Sequence, residues 1–143
     1  VQWHMEYRYH LRVVFLILLL AGCGPLPTGR SAAEAEVASF HGHFNREDFK
    51  GIVSAAHPDF FTKTTKSEVV EVLRTARKKL GKVTDSQVLR GQVTGGNGGT
   101  TAVIVQQTTF EEGSGTEVFT FHVEKGKARL VGYNLMSNAL VTE

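Results

Sequence analysis

The sequence has a single cysteine, almost no excess of positive over negative charge and no long hydrophobic run. Its single cysteine, Cys23, cannot form an intramolecular disulfide, so the domain has to fold on its hydrophobic core alone. Sixteen Lys and Arg residues against fourteen Asp and Glu leave a net charge of only +2. This excludes the broad basic surface that is typical of a nucleic-acid-binding protein. The apolar run 13–20 is too short to span a bilayer as a helix, which needs about 20 residues.

Motifs that carry chemistry are also missing. No Gly-x-Ser-x-Gly nucleophile elbow occurs, and the glycine-rich stretch 95–99 lacks the Gly-Lys-Ser/Thr ending of a phosphate-binding loop. His41 and His43 are two residues apart on a predicted helix, so they point to opposite sides, one to the helix–sheet seam and the other to solvent. No third ligand is placed beside either histidine. The sequence therefore predicts no catalytic residue, no cofactor and no metal site.

The amino-terminal residues 1–22 have the three parts of a secretory signal peptide. Arg8 and Arg12 supply the positive region, residues 13–20 the apolar region, and Ala21-Gly22 the small residues before a cleavage site. The chain begins with Val1, and Met5 is an alternative start.

The stretch Leu20-Ala21-Gly22-Cys23 resembles the lipobox of bacterial lipoproteins. The resemblance implies that Cys23 carries diacylglycerol and an N-acyl chain, and two or more acyl chains hold a protein firmly on a membrane. The expected location is thus the cell envelope, and Gly24 in place of Asp favours the outer membrane in a Gram-negative cell. Ordinary signal cleavage, a short uncleaved anchor and a buried cysteine remain alternatives.

Residues 23–30 are predicted to be the lipidated cysteine and a tether, and residues 31–143 a single domain. Three helices are expected first, and each has recognisable end signals. The first helix has a Ser31–Glu34 capping box at its start. The second is preceded by Asp48 and followed by His57-Pro58. The third has a Thr65–Glu68 capping box at its start and Gly81 as its stop. Four strands follow, at residues 86–94, 100–110, 116–123 and 128–136, with tight turns at 112–115 and 124–127. The pattern predicts an α+β fold with three helices on a curled, four-stranded antiparallel sheet.

The closing stretch of the sheet is similar to one in the cystatin-like, nuclear-transport-factor-2-like superfamily, nearest to uncharacterised bacterial domains. Gly126 and Gly132-Tyr133 match its "dG.W … rvvGY.i" pattern, although Ala128 stands where tryptophan is usual. Residues 44–49 and 80–82 also suit the superfamily. The resemblance implies a sheet that wraps around a cone-shaped pocket, with homodimers through its outer face.

Three functions are compatible with this fold. The first is a non-catalytic lipoprotein that binds a small apolar ligand or a protein partner, and its expected pocket residues are Phe40, Phe44, Phe60, Phe61, Phe119, Phe121, His122 and Tyr133. The alternative interpretation of these phenylalanines is plain core. The second function is structural, through a sheet-face dimer with Gln106, Thr108 and Thr120 at the contact. The third is a small isomerase- or dehydratase-type enzyme, which would need a carboxylate beside His122 or Tyr133. It is the least favoured, because the predicted turns place Glu111, Glu112, Glu117 and Glu124 at solvated hairpin ends.

Overall fold

The computed structural model describes residues 28–141, so the predicted signal peptide and Cys23 lie outside the described residues. No helix within residues 28–141 is long and apolar enough to cross a membrane. The elements, in chain order, are α1 (Gly29–Asn45), α2 (Phe49–Ala55), a 3-10 turn (Pro58–Phe61), α3 (Lys66–Leu80), β1 (Val83–Gly96), β2 (Gly99–Phe110), β3 (Gly113–Glu124), β4 (Lys127–Met136) and α4 (Asn138–Val141).

The α+β class and the four-stranded antiparallel meander are confirmed, with strand order β1-β2-β3-β4. The helix count differs from the prediction, because the 3-10 turn precedes α3 and the short α4 follows the sheet. The strands are also longer than predicted. The first hairpin turns at residues 97–98 alone, and the second turns at Glu111 and Glu112 rather than at 112–115.

Local capping explains where the helices begin and end. The capping box of Thr65 and Glu68 at α3 is confirmed, and Gly81 ends that helix with φ = 76°, a conformation that favours glycine. The Ser31 capping box is wrong, since Thr28 caps α1 by accepting a hydrogen bond from the Ser31 amide. The helix therefore begins at Gly29, inside the stretch that was predicted to be tether.

The core lies between the helices and one face of the sheet, which we call the inner face. Side chains alternate between buried and half-buried over residues 102–108 of β2 and 116–122 of β3, as a two-residue period requires. The inner face carries Ala102, Ile104, Phe110, Phe119 and Phe121, and these pack against Phe40 and Phe44 of α1 and against Leu73 and Leu80 of α3.

Gln106 and Thr108 also lie on the inner face, with 1 % and 0 % exposure. Their predicted place on an outer contact face is wrong, because the strand alternation puts them in line with Ala102 and Ile104. Thr120 does lie on the outer face, between the inward-facing Phe119 and Phe121.

Candidate functional site

A buried carboxylate lies at the centre of the inner face. Glu117 is only 1 % exposed, and its predicted position at a solvated hairpin end is wrong. Because the second hairpin turns at residues 111–112, β3 begins at Gly113 and carries Glu117 into the core on the same side as Phe119. Four side chains from three elements surround the carboxylate, and together with Glu117 we call them the Glu117 network: His41, Gln106, Thr108 and Tyr133.

Each neighbour of Glu117 contributes a hydrogen bond to a carboxylate oxygen. Oε2 lies 2.7 Å from Nε2 of His41 and accepts hydrogen bonds from Nε2 of Gln106 at 3.0 Å and Oγ1 of Thr108 at 2.5 Å. Oε1 accepts a hydrogen bond from the Tyr133 hydroxyl at 2.7 Å. A neutral carboxyl group would turn one of these acceptors into a donor, so the surroundings fit the ionised form of Glu117.

The electrostatics of the Glu117 network agree with its geometry. Burial alone raises the pKa of the Glu117 carboxyl, but the hydrogen bond and charge of His41 and the hydroxyls of Thr108 and Tyr133 outweigh burial and hold that pKa below its usual value. Burial, followed by the charge of Glu117 and the hydrogen bond to it, raises the pKa of the Tyr133 hydroxyl well above its usual value. Tyr133 therefore stays a hydrogen-bond donor at any physiological pH.

This arrangement predicts acid sensitivity that is specific to Glu117. Since the folded-state pKa lies below the unfolded value of about 4.5, ionised Glu117 stabilises the fold above that pH. The contribution is lost as the pH falls through the lower, folded-state pKa. Thermal unfolding between pH 7 and pH 3 should therefore show a steeper fall in Tm for the wild type than for Glu117→Gln. Parallel curves would contradict the assignment of an ionised, depressed-pKa carboxylate.

An open groove lies beside the network, between α3 and β4. Its volume is about 450 Å³, within the range of small-ligand and peptide sites. The helix side is formed by Glu71, Val72, Leu73, Thr75, Ala76 and Lys79, the strand side by Tyr133, Asn134 and Leu135, and one end by Leu140 of α4. Five of these ten residues are aliphatic and most of the lining surface is apolar, with a charged side chain toward each end of the α3 segment. Tyr133 belongs to both the groove and the Glu117 network.

The residues predicted to form a pocket are brought together only in part. Phe40 lies 5.1 Å from Phe119 and 4.8 Å from Tyr133, measured between ring centroids. Phe44 and Phe121 are buried in the same cluster. The hollow that Phe40 and Phe121 line holds only about 10 Å³, room for no more than about one water molecule.

The other predicted residues lie at the periphery. Phe60 and Phe61 are partly buried and contact each other, at 5.3 Å between centroids. His122 is half-buried on the opposite side of β3 from Phe121, and its ring lies 5.2 Å from that of His57. The sequence did not indicate which helix histidine faces the sheet; it is His41, while the half-buried His43 bonds Asp48 at 2.7 Å. Within residues 28–141, no group of three or more His, Cys, Asp or Glu side chains is arranged to hold a metal ion.

Reasoning from the sequence missed Glu117, Gln106 and Thr108 as members of one site. The available signal was the two-residue period. Glu117 is in phase with Phe119 and Phe121, and Gln106 and Thr108 are in phase with Ile104 and Phe110. A polar residue in phase with a buried apolar row needs partners, and this requirement predicts a network.

Comparisons with known proteins give the fold only. No protein-family model matches the chain, and the comparison with curated proteins yields no significant match. Among solved structures, the chain is similar to a SEC-C motif containing protein from Rhodopseudomonas palustris, with TM-score 0.50 and 17% identity over 73% of this chain and 79% of that one. It is also similar to Bd1075 of Bdellovibrio bacteriovorus, with TM-score 0.50 and 7% identity over 73% of this chain. The match covers 40% of Bd1075, less than half of that protein. A third structure, from Novosphingobium aromaticivorans and provisionally assigned as a scytalone dehydratase, has TM-score 0.48 and 10% identity over 75% of this chain and 82% of its own.

Proposed function

We propose that this chain is a lipid-anchored envelope protein whose domain binds, without catalysis, a largely apolar ligand or partner segment in the α3–β4 groove. The main support for the proposal is the groove, which is large enough for such a ligand, has a mostly apolar lining surface and is open to solvent. Val72 on its α3 side is 64% exposed and lines the groove together with the half-buried Leu135 and Leu140, so the groove presents a contiguous apolar surface. The order of helices before a meander supports a place in the cystatin-like, nuclear-transport-factor-2-like superfamily.

The Glu117 network favours binding over catalysis. The structure does bring a carboxylate beside Tyr133, as the enzyme hypothesis requires. A general base, however, must come within hydrogen-bond reach of a substrate proton. Glu117 is 1 % exposed, does not line the groove, and already accepts hydrogen bonds on both of its oxygens. Its role in this proposal is to fix Tyr133 as a wall of the groove.

Photolabelling tests the groove as the binding site. The full chain in lipid nanodiscs would be irradiated with 3-trifluoromethyl-3-phenyldiazirine, a small apolar probe, and the labelled peptides mapped by mass spectrometry. Labelling is expected on α3 and β4 and should fall to background in Thr75→Trp, because Thr75 is an exposed residue of the groove wall. The matched control is Lys78→Trp, on the same helix but outside the groove. Labelling that ignores the Thr75 substitution would contradict the proposal.

The membrane anchor has a separate test. Cells that express the full chain would be fed an alkyne-tagged palmitate, and the purified protein probed for the tag. We expect incorporation in the wild type and none in Cys23→Ser, because no other cysteine can carry the thioether. Equal labelling of the two proteins, or none in either, would overturn lipidation at Cys23.

A second candidate is a homodimer through the outer face of the sheet. Between residues 101 and 109 of β2 and between residues 116 and 122 of β3, this face carries uncharged residues and one histidine, and most of them are half-buried: Thr101, Val103, Val105, Gln107 and Thr109 on β2, and Thr116, Val118, Thr120 and His122 on β3. Depletion of charge is a feature of interface cores. A dimer in sedimentation equilibrium that becomes a monomer in Val105→Lys would support this role.

A further inference from the structure

The strand side of the groove is the free edge of β4. Tyr133, Asn134 and Leu135 are consecutive, and consecutive side chains of a strand point to opposite faces. All three can line one groove only if the backbone edge of β4 faces it. Within the described residues 28–141, β4 is the last strand of the sheet and pairs only with β3, so no strand of this part of the chain lies along its other edge.

The register identifies the backbone groups that point into the groove. In an antiparallel pair, residues alternate between bonding the neighbouring strand and pointing away from it. The Leu130 carbonyl points away from β3, because it accepts a hydrogen bond from the His57 amide. When the register is followed past the irregularity between Thr120 and Phe121, Tyr133 and Leu135 fall at positions whose amide and carbonyl groups point away from β3. Within residues 28–141, the outward amides and carbonyls of these two residues have no partner.

We propose that the groove accepts an extended peptide segment of a partner protein, which pairs with β4 as a fifth strand and packs alternate apolar side chains against α3. This inference rests on the proposed function and names its ligand. Strand addition beside a helix supplies affinity through main-chain hydrogen bonds and specificity through pockets for every second side chain. Both parts are present, as the outward backbone groups of Tyr133 and Leu135 and the aliphatic wall at Val72 and Ala76.

The charges at the groove define the segment further. Glu71 and Lys79 lie eight positions apart on α3, or about 12 Å along the helix, which is the length of three to four residues of an extended strand. Lys79 Nζ lies 3.3 Å from the Leu140 carbonyl, at the end closed by α4. Glu71 is ion-paired with Arg74 on the same helix, so its charge is already compensated. The complementary peptide therefore has a short apolar core with an acidic group at the Lys79 end.

The test uses a phage-displayed octapeptide library with Val, Ile, Leu or Phe at every second position, selected on the full chain in nanodiscs and counter-selected on Thr75→Trp. An enriched peptide would be synthesised in two N-methylated versions, one with methyl groups on the backbone amides of the odd-numbered residues and one with methyl groups on those of the even-numbered residues. Pairing with one strand uses only one set, so we expect about 10-fold weaker binding for one N-methylated peptide and near-unchanged binding for its counterpart. Bound peptide should also slow hydrogen–deuterium exchange in residues 132–136.

Three results would overturn the inference: no enrichment over Thr75→Trp, equal effects of the two N-methylation patterns, or unchanged exchange in β4. If the diazirine probe still labels the groove while no peptide binds, the groove is a small-ligand site, and only the peptide inference fails. If the probe also fails to label it, the proposed function fails with it.

Discussion

Replacing Glu117 with alanine is expected to lower the free energy of unfolding by about 3–5 kcal/mol, a large part of the 5–15 kcal/mol typical of a domain. The substitution removes the shared acceptor of the Glu117 network. It leaves His41, Thr108 and Tyr133 with donors that lose their acceptor in the core, whereas Gln106 keeps its hydrogen bond to Oγ1 of Thr108 at 3.2 Å. Unsatisfied buried groups cost more than the lost bonds alone. Urea denaturation followed by circular dichroism measures the difference.

Glu112→Ala is the matched control. Glu112 is an exposed glutamate in the turn that precedes β3, and a surface change of this kind should stay within about 0.5 kcal/mol. If the two alanine variants were equally stable, Glu117 would be solvated, and the network at the centre of the inner face would not exist in solution.

Phe119→Ala is expected to cost about 3–5 kcal/mol, the usual range for truncating a buried aromatic side chain. The Phe119 ring is fully buried, and it lies 5.1 Å from the ring centroids of both Phe40 and Tyr133. The rings fill the space between α1 and the sheet, so truncation leaves a cavity rather than widening an existing pocket.

The neighbouring Val118→Ala provides the comparison for Phe119, because Val118 is half-buried on the outer face of the same strand. Its cost should stay below about 1.5 kcal/mol, since fewer buried methyl groups are lost there. A cost for Phe119→Ala as small as that for Val118→Ala would mean that the phenylalanines line a hollow.

End signals and periodicity predicted most of the architecture. Helix α3 begins after Thr65, with Glu68 in its capping box, and ends at Gly81. These ends could be predicted because a capping side chain acts within one turn of its own helix. The errors came from turns. The run Glu-Glu-Gly-Ser-Gly contains several residues that favour turns, and propensity alone placed the turn at 112–115 rather than at 111–112. The shift was enough to misplace Glu117.

The candidate site was harder to predict than the fold, because its members are distant in the sequence. His41 and Glu117 are 76 residues apart, and their contact depends on where α1 crosses the sheet. Gln106 and Thr108 looked like surface residues by type, although their phase with Ile104 places them inside. The α3–β4 groove has no local signature, since it is the gap left between a helix and the edge of a sheet.

Site-specific photo-crosslinking in living cells tests most directly whether the α3–β4 groove is the binding surface. Benzoylphenylalanine would replace Val72 at the groove or Val103 on the outer sheet face, each in the full chain. The predicted result is a discrete adduct from position 72 that disappears when Thr75→Trp is added and persists with Lys78→Trp. An adduct from position 103 alone would contradict the groove and place the interaction on the sheet.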